Sequence, residues 1–285
     1  MQDKFAIFIL THNRPDNVIT YNTLKASGFT GDIYIIIDNE DKSAEKYYNN
    51  FGDKVIMFDK KAIAKTFDEA DNFNDRRAIV YARNSCFEIA KDLGIKYFMQ
   101  LDDDYTAFDY RMDGNYKYGI SPIMSFDKTI EILLTYYKSI NVKSIAIAQG
   151  GDFIGGGKSV SNINVVKRHL TRKCMNSFLC STDRAFKFVG RINEDVNTYT
   201  RKGSTGNIFL SIPLLSLTQK TTQKNTGGMT DIYLDNGTYI KSFYSVMFQP
   251  SSVKVALMGD NHRRLHHRVS WKHTTPVILN EKYKK

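Results

Sequence analysis

The 285-residue chain is 42% hydrophobic and carries a formal net charge of +10, so it holds enough apolar material to bury a full core in one large domain. Its three cysteines, Cys86, Cys174 and Cys180, are odd in number and form no C-x-x-C pair, which argues against a zinc knuckle or a disulfide framework and for a reducing compartment. No apolar run approaches the ~20 residues of a membrane span, and the first, Phe5 to Leu10, is too short for a signal-peptide core; a soluble, cytoplasmic protein is expected.

In chain order, Phe5 to Leu10 reads as a buried strand, and Asp16 to Ser27 as a helix with Val18, Ile19 and Leu24 on one face and Gly28 as its stop. Ile33 to Ile37 is a second strand and Val55 to Phe58 a third. Arg76 to Leu93 spaces Ile79, Val80, Cys86, Phe87, Ile89, Ala90 and Leu93 as a helix that ends at Gly94. Tyr97 to Leu101 follows as the next strand. Helices alternating with apolar strands predict an α/β fold with a mostly parallel sheet covered on both faces, in which ligands gather at the carboxyl ends of strands.

The polar residues after those strands are therefore the candidates: Thr11-His12-Asn13-Arg14, Asp38-Asn39-Glu40-Asp41 and Asp102-Asp103-Asp104. Three adjacent carboxylates closing a buried strand repel one another, and desolvation sharpens the repulsion unless a cation compensates. A hard divalent ion suits them, since Mg²⁺ takes one or two carboxylates together with substrate phosphates. A solvated acidic turn or helix cap is the plain structural alternative. Charge is also uneven along the chain: residues 1–150 hold 19 Lys and Arg against 22 Asp and Glu, net −3, whereas residues 151–285 hold 21 against 8, net +13. A field of that sign favours a polyanionic partner, nucleic acid first.

The order of these motifs resembles that of nucleotide-sugar glycosyltransferases with the GT-A fold, in particular family-2-type inverting enzymes. There a T-x-N-R-like turn, a strand ending in Asp, an A-R-N helix and a D-D-D strand end succeed one another; here they are Thr11 to Arg14, Asp38, Ala82-Arg83-Asn84 and Asp102 to Asp104. The resemblance covers about residues 5–110 and implies a nucleotide-sugar-binding portion, residues 1–110, and an acceptor-binding and catalytic portion, residues 111–285, of one domain. It implies donor contacts from Thr11, Asn13, Arg14, Asp38, Arg83, Asp102 and Asp103, and a Mn²⁺ or Mg²⁺ ion on Asp102 and Asp104 beside the diphosphate of a UDP-sugar. Glu194-Asp195 resembles the family's E-D motif, in which the second carboxylate is usually the base that deprotonates the acceptor hydroxyl; an ordinary acidic first helical turn is the alternative. A C-terminal histidine, His266 or His267, completes the metal set in many such enzymes.

The segment HRRLHHRVSWKH, residues 262–273, followed by Thr275-Pro276-Val277-Ile278, looks like that of the TET-associated glycosyltransferases, as do Lys202 to Thr205 and Asn225 to Thr230. That family includes phage enzymes and relatives that make glucosylated base J, and its members glycosylate hydroxymethylated pyrimidines in DNA. The resemblance implies an infected bacterial host cell as the setting and Arg263, Arg264 and Arg268 as DNA contacts. A glycan, lipid or protein acceptor for the same core, and a non-enzymatic DNA-binding protein, are the competing readings. Gln149 to Ser159, QGGDFIGGGKS, nearly spells a phosphate-binding loop, but the motif needs glycine where Asp152 stands; a glycine-rich loop that approaches acceptor or sugar is expected instead.

Overall fold

The computed structural model describes residues 3–71, 73–113, 115, 118–149, 172–220, 239–258 and 263–276. Strands β1 (Phe5–Leu10), β2 (Asp32–Asp38), β3 (Val55–Phe58) and β4 (Tyr97–Asp102) pair in parallel, as their uninterrupted apolar runs predict. Five further strands complete one nine-stranded sheet: β5 (Tyr105–Met112), β6 (Tyr118–Pro122), β7 (Ser144–Gln149), β8 (Phe178–Ser181) and β9 (Phe209–Gln219). The spatial order is β3-β2-β1-β4-β8-β7-β9-β5-β6. Among the described residues β5 and β8 run against the other seven strands, so the sheet is mostly parallel.

The period-two alternation of β1 divides the core in two. Ile7 and Ile9 point to a face covered by α1 (Ile19–Ala26), α2 (Ala44–Phe51) and α5 (Phe126–Ser139). Ala6, Phe8 and Leu10 point to the face covered by α4 (Val80–Asp92) and α6 (Glu194–Ser204), with the short α3 (Lys60–Ala64) beside α4. A separate antiparallel ribbon of β10 (Val253–Met258) and β11 (Arg264–Val269) packs against α7 (Ile240–Phe248). Among the described residues, no helix is long and apolar enough to cross a membrane.

Two helix starts come later than the apolar spacing predicts, each for a local reason. Arg14 to Asn17 closes a turn (Asn17 N to Arg14 O, 2.9 Å), and α1 begins only where its first turn docks on the acidic segment: Thr20 N donates to Asp103 O (3.1 Å) and Thr20 Oγ1 to Asp102 O (2.6 Å). Before α4, Arg76 and Arg77 are drawn into ion pairs with Glu40 and Asp75, so the helix starts at Val80. Gly190 has a positive φ of 80°, and a Cβ there would fall 2.3 Å from Asn197 Nδ2 and 2.6 Å from a Phe248 ring carbon. Only glycine lets the chain enter α6 this close to α7.

Candidate active site at the carboxyl ends of the parallel strands

The three polar clusters after β1, β2 and β4 do meet at one sheet edge. Thr11 Oγ1 donates to Asp103 Oδ2 (2.6 Å), and the Arg14 guanidinium reaches Asp103 Oδ1 (3.2 Å). The fully buried Tyr47 braces this turn, its hydroxyl lying 2.8 Å from Thr11 Oγ1 and accepting from Arg14 N (2.8 Å). The carboxylate of Asp103 thus serves the β1 turn. Asn13 adopts a left-handed backbone (φ 55°) and its N–H donates to Asp41 Oδ2 (2.8 Å).

At the end of β2, Asp38 is held by His12 Nδ1 (2.8 Å) and by the buried ammonium of Lys60 (3.2 Å). Burial pushes the Asp38 carboxyl up, but the hydrogen bond with His12 and the charge of Lys60 more than offset it, so it stays below the usual range. Lys60 stands at the start of α3, whose cap is Asp59 (Ala62 N to Asp59 Oδ1, 2.9 Å).

Arg83 joins the two ends of the chemistry. Its guanidinium is 2% exposed and lies 4.7 Å over the Phe178 ring; Nη2 donates to Asp102 Oδ1 (2.9 Å) and Nε to Glu194 Oε1 (2.9 Å). The third nitrogen, Nη1, is buried with no hydrogen-bond partner. Neighbouring Asn84 clasps the backbone of Phe188 in both directions (3.1 and 2.8 Å), which seats the segment leading into α6 against α4. The acidic segment is short of positive charge even so. Burial, then Asp104 and Glu194, push the Asp102 carboxyl up to about 7 against the pull of Arg83; burial and Asp103 push Asp104 up to about 6. Asp104 is set by the end of β9, where Lys220 N donates to its carbonyl (3.2 Å) and Gln219 Nε2 to Oδ2 (3.4 Å).

Glu194 and Asp195 open α6 and both are buried. Asp195 Oδ1 accepts from Val196 N (2.7 Å), and burial followed by repulsion from Glu194 raises its carboxyl well above the ordinary range. The residue before them, Asn193, is left-handed (φ 56°), a conformation that asparagine tolerates better than most. Its Nδ2 donates to Lys241 O (2.7 Å) and Ser245 Oγ (3.1 Å) of α7 and lies 3.2 Å from His267 Nδ1. Arg191, 2% exposed, clamps the same approach through Asp71 Oδ2 (3.0 Å) and Asp75 Oδ2 (3.1 Å), and Tyr244 OH also donates to Asp71.

His267 is held near neutrality of charge: burial, then His266 and Lys241, lower its pKa to about 4. His266 Nδ1 lies 2.9 Å from the carbonyl of His267. Among the described residues no group of three or more His, Cys, Asp and Glu side chains is arranged to hold a metal ion, so the structure does not bring either histidine to Asp102 and Asp104. Arg263 and Arg268 are exposed near the ribbon, whereas the side chain of Arg264, the glycine-rich loop from residue 150, Asn225 to Thr230 and Val277-Ile278 lie outside the described residues.

A family model, TET-Associated Glycosyltransferase, matches residues 5–228. The chain belongs to the TET-associated glycosyltransferase family. It is therefore a glycosyltransferase, and its architecture is α/β with a mostly parallel sheet, as the sequence predicts. No curated protein matches it in sequence. Among solved structures it is similar to glucosyl-3-phosphoglycerate synthase from Mycobacterium tuberculosis in complex with Mn²⁺ and UDP-glucose, at 8% identity and a TM-score of 0.46, over 95% of this chain and 91% of that one. Staphylococcus aureus TarS, residues 1–349, matches at 12% identity and a TM-score of 0.41, over 76% of this chain and 60% of that one.

Three supports of the site, Lys60, Tyr47 and Arg191, stand outside the motifs. Lys60 was detectable, because Asp59-Lys60-Lys61 follows β3 as the other clusters follow their strands. Tyr47 and the Arg191 clamp, by contrast, act across 36 to 120 residues of sequence, a separation that no local pattern encodes.

Proposed function

We propose that this protein is a metal-dependent inverting glycosyltransferase that moves a sugar from a nucleotide sugar, a UDP-sugar, to the hydroxyl of a hydroxymethylated pyrimidine in DNA. The observation that carries the reading is the Arg83 bridge, which brings the donor-side carboxylate Asp102 within one side chain of the Glu194-Asp195 pair. Asp38, His12 and Lys60 form the polar pocket for the nucleoside, with Thr11, Asn13, Arg14 and Asp103 shaping the adjoining turn. Asp102 and Asp104 would hold a Mg²⁺ or Mn²⁺ ion, because both are hard oxygen donors whose charge is disfavoured by burial first and by neighbouring carboxylates second, a cost that a bound cation would offset. Such an ion supplies positive charge beside the departing diphosphate.

The chain's own residues do the rest. The acceptor oxygen attacks the anomeric carbon opposite the diphosphate, and the glycosidic bond forms as the bond to the phosphate oxygen breaks. The electron pair leaves on the nucleoside diphosphate, and the hydroxyl proton passes to Asp195, whose raised pKa suits a base working near neutrality. Glu194, tied to Arg83, holds its charge in place beside it, and Nη1 of Arg83 is the donor left for a phosphate oxygen. The net charge of +13 in residues 151–285 supports a polyanionic acceptor.

The direct test incubates the protein with Mn²⁺ or Mg²⁺, UDP-sugars and DNA that carries hydroxymethylcytosine or hydroxymethyluracil, followed by mass spectrometry of the nucleosides. A hexose or pentose increment on the modified base is expected. Donor hydrolysis with no increment on either base would remove DNA as the acceptor and leave the transferase.

A further inference from the structure

The turn that delivers Glu194 and Asp195 is held in an unfavourable shape. Gly190 (φ 80°) and Asn193 (φ 56°) are both left-handed, two such residues within four. Backbone of this kind persists where its surroundings fix it. On one side α7 fixes Asn193 through Lys241 O and Ser245 Oγ. On the other, the segment between α3 and α4 runs along the turn: Gly190 N donates to Asp68 O (2.7 Å) and Arg191 N to Glu69 O (3.0 Å).

Arg191 joins the two sides. Every nitrogen of its guanidinium has a partner: Nε donates to Asp71 Oδ2 (3.0 Å), Nη1 to Asp75 Oδ2 (3.1 Å) and Nη2 to Tyr244 OH of α7 (3.4 Å). Tyr244 OH in turn donates to Asp71. Ile192, next in the chain, is fully buried with Tyr244 and packs on Ala70, itself left-handed (φ 69°), which is unusual for alanine. The segment that carries Asp71 and Asp75 is also tied to the donor side. Tyr81 OH donates to Glu69, and Arg76 pairs with Glu40, whose N–H donates to Asp38 (3.0 Å). A planar fork that meets two carboxylates and a hydroxyl at once is a geometry that lysine cannot reproduce.

The geometry points to Arg191 as a positioning residue for the transfer step, acting through the Ile192-Asn193 turn to set the Asp195 carboxylate against the acceptor hydroxyl. This rests on the reading of Asp195 as the base and adds to it what holds the base in place. The displacement that matters is small, since a shift of about 1 Å in a reacting group costs on the order of a hundredfold in rate. Donor contacts at the ends of β1, β2 and β4 do not pass through the Arg191 side chain, so donor affinity is kept when the clamp is loosened.

The test is a double-mutant cycle of Arg191→Lys with Asp195→Asn. It is read as UDP release, with Mn²⁺, from the UDP-hexose or UDP-pentose that the wild type turns over fastest, to water and to DNA carrying hydroxymethylcytosine, well below each variant's melting temperature. Arg191→Lys should lower kcat about ten- to a hundredfold with donor KM within about twofold. In the Asp195→Asn background the same change should cost less than about twofold, because a base that is absent cannot be misplaced. Tyr244→Phe takes one hydroxyl from the clamp and keeps the buried ring, so it tests the same role should Arg191→Lys fail to fold. It should lower kcat about three- to tenfold and lose that effect in the Asp195→Asn background. An equal loss in both backgrounds would make Arg191 a structural residue only, and unchanged kcat in folded Arg191→Lys would overturn the role outright; in either case the base assignment stands. Full turnover in Asp195→Asn would instead overturn the base and the clamp's role together, as would a wild-type protein that releases no UDP from any of these donors.

Discussion

Metal binding should depend on pH with a sign and size set by the acidic segment. Asp102 and Asp104 are held up to about 7 and about 6, and each must lose its proton to ligate an ion. At about pH 6 both are ionised in only ~5% of molecules, whereas at about pH 8 the fraction is ~90%, so affinity for Mg²⁺ should rise about twentyfold across that interval. Binding at the lower pH should release about 1.4 protons per ion. Both folded-state values lie above those of an unfolded carboxyl, so the metal-free fold loses stability as pH climbs from about 4 to about 7, and added metal reverses the loss. Calorimetry in two buffers of different ionisation heat reads affinity and proton release together. In Asp104→Asn the dependence should shrink to less than about tenfold over the same range, because only Asp102 titrates and it loses the neighbouring charge that helps to raise it. Affinity constant between pH 6 and 8, with no protons released, would refute the two-carboxylate site.

Three further outcomes follow from the geometry. Asp195→Asn should lower turnover by roughly 10²–10⁴ while donor affinity is nearly kept, with Glu194→Gln milder; steady-state kinetics in which Glu194→Gln is the more severe would make Glu194 the base. Arg83→Met leaves Asp102 and Glu194 buried without their shared partner and should cost about 3–5 kcal/mol in chemical denaturation; a loss below ~1 kcal/mol would mean that the bridge contributes little. Gly190→Ala meets both a left-handed backbone and two close contacts and should cost about 2–4 kcal/mol, measured as a shift in denaturation midpoint, where an unchanged midpoint would contradict the close packing of α6 on α7.

The sheet edge was legible because strand ends are local facts: an apolar run followed by Thr11 or Asp38 or Asp102 marks both a strand and its mouth. Glu194-Asp195 was legible as a pair with the acidic segment, since the family motif order relates them across about ninety residues. The linkage between them was not. Arg83 sits in a helix whose spacing says only that one face is buried, and nothing local reports that its guanidinium turns to span Asp102 and Glu194. Asp103 illustrates the converse: its neighbours Asp102 and Asp104 share its chemistry, yet one residue of rotation around the turn sends its carboxylate to Thr11 and Arg14. The histidines of β11 illustrate a third limit, because alternation predicts opposite faces for His266 and His267 but cannot say what each face meets. In the fold His267 meets Asn193.

Strand β8 lies between β4 and β7 and is the seam that joins the two flanks of the sheet. On a ribosome the parallel flank is complete once β4 has emerged at Asp102, but its seam partner starts at Phe178, about 76 residues later. At about 5–20 residues per second the apolar edge of Tyr97 to Leu101 waits roughly 4–15 s for cover. Nascent chains stalled between these points should be the ones most heavily occupied by chaperones, and slower codons in that interval should lower the soluble yield without altering any contact in the finished protein.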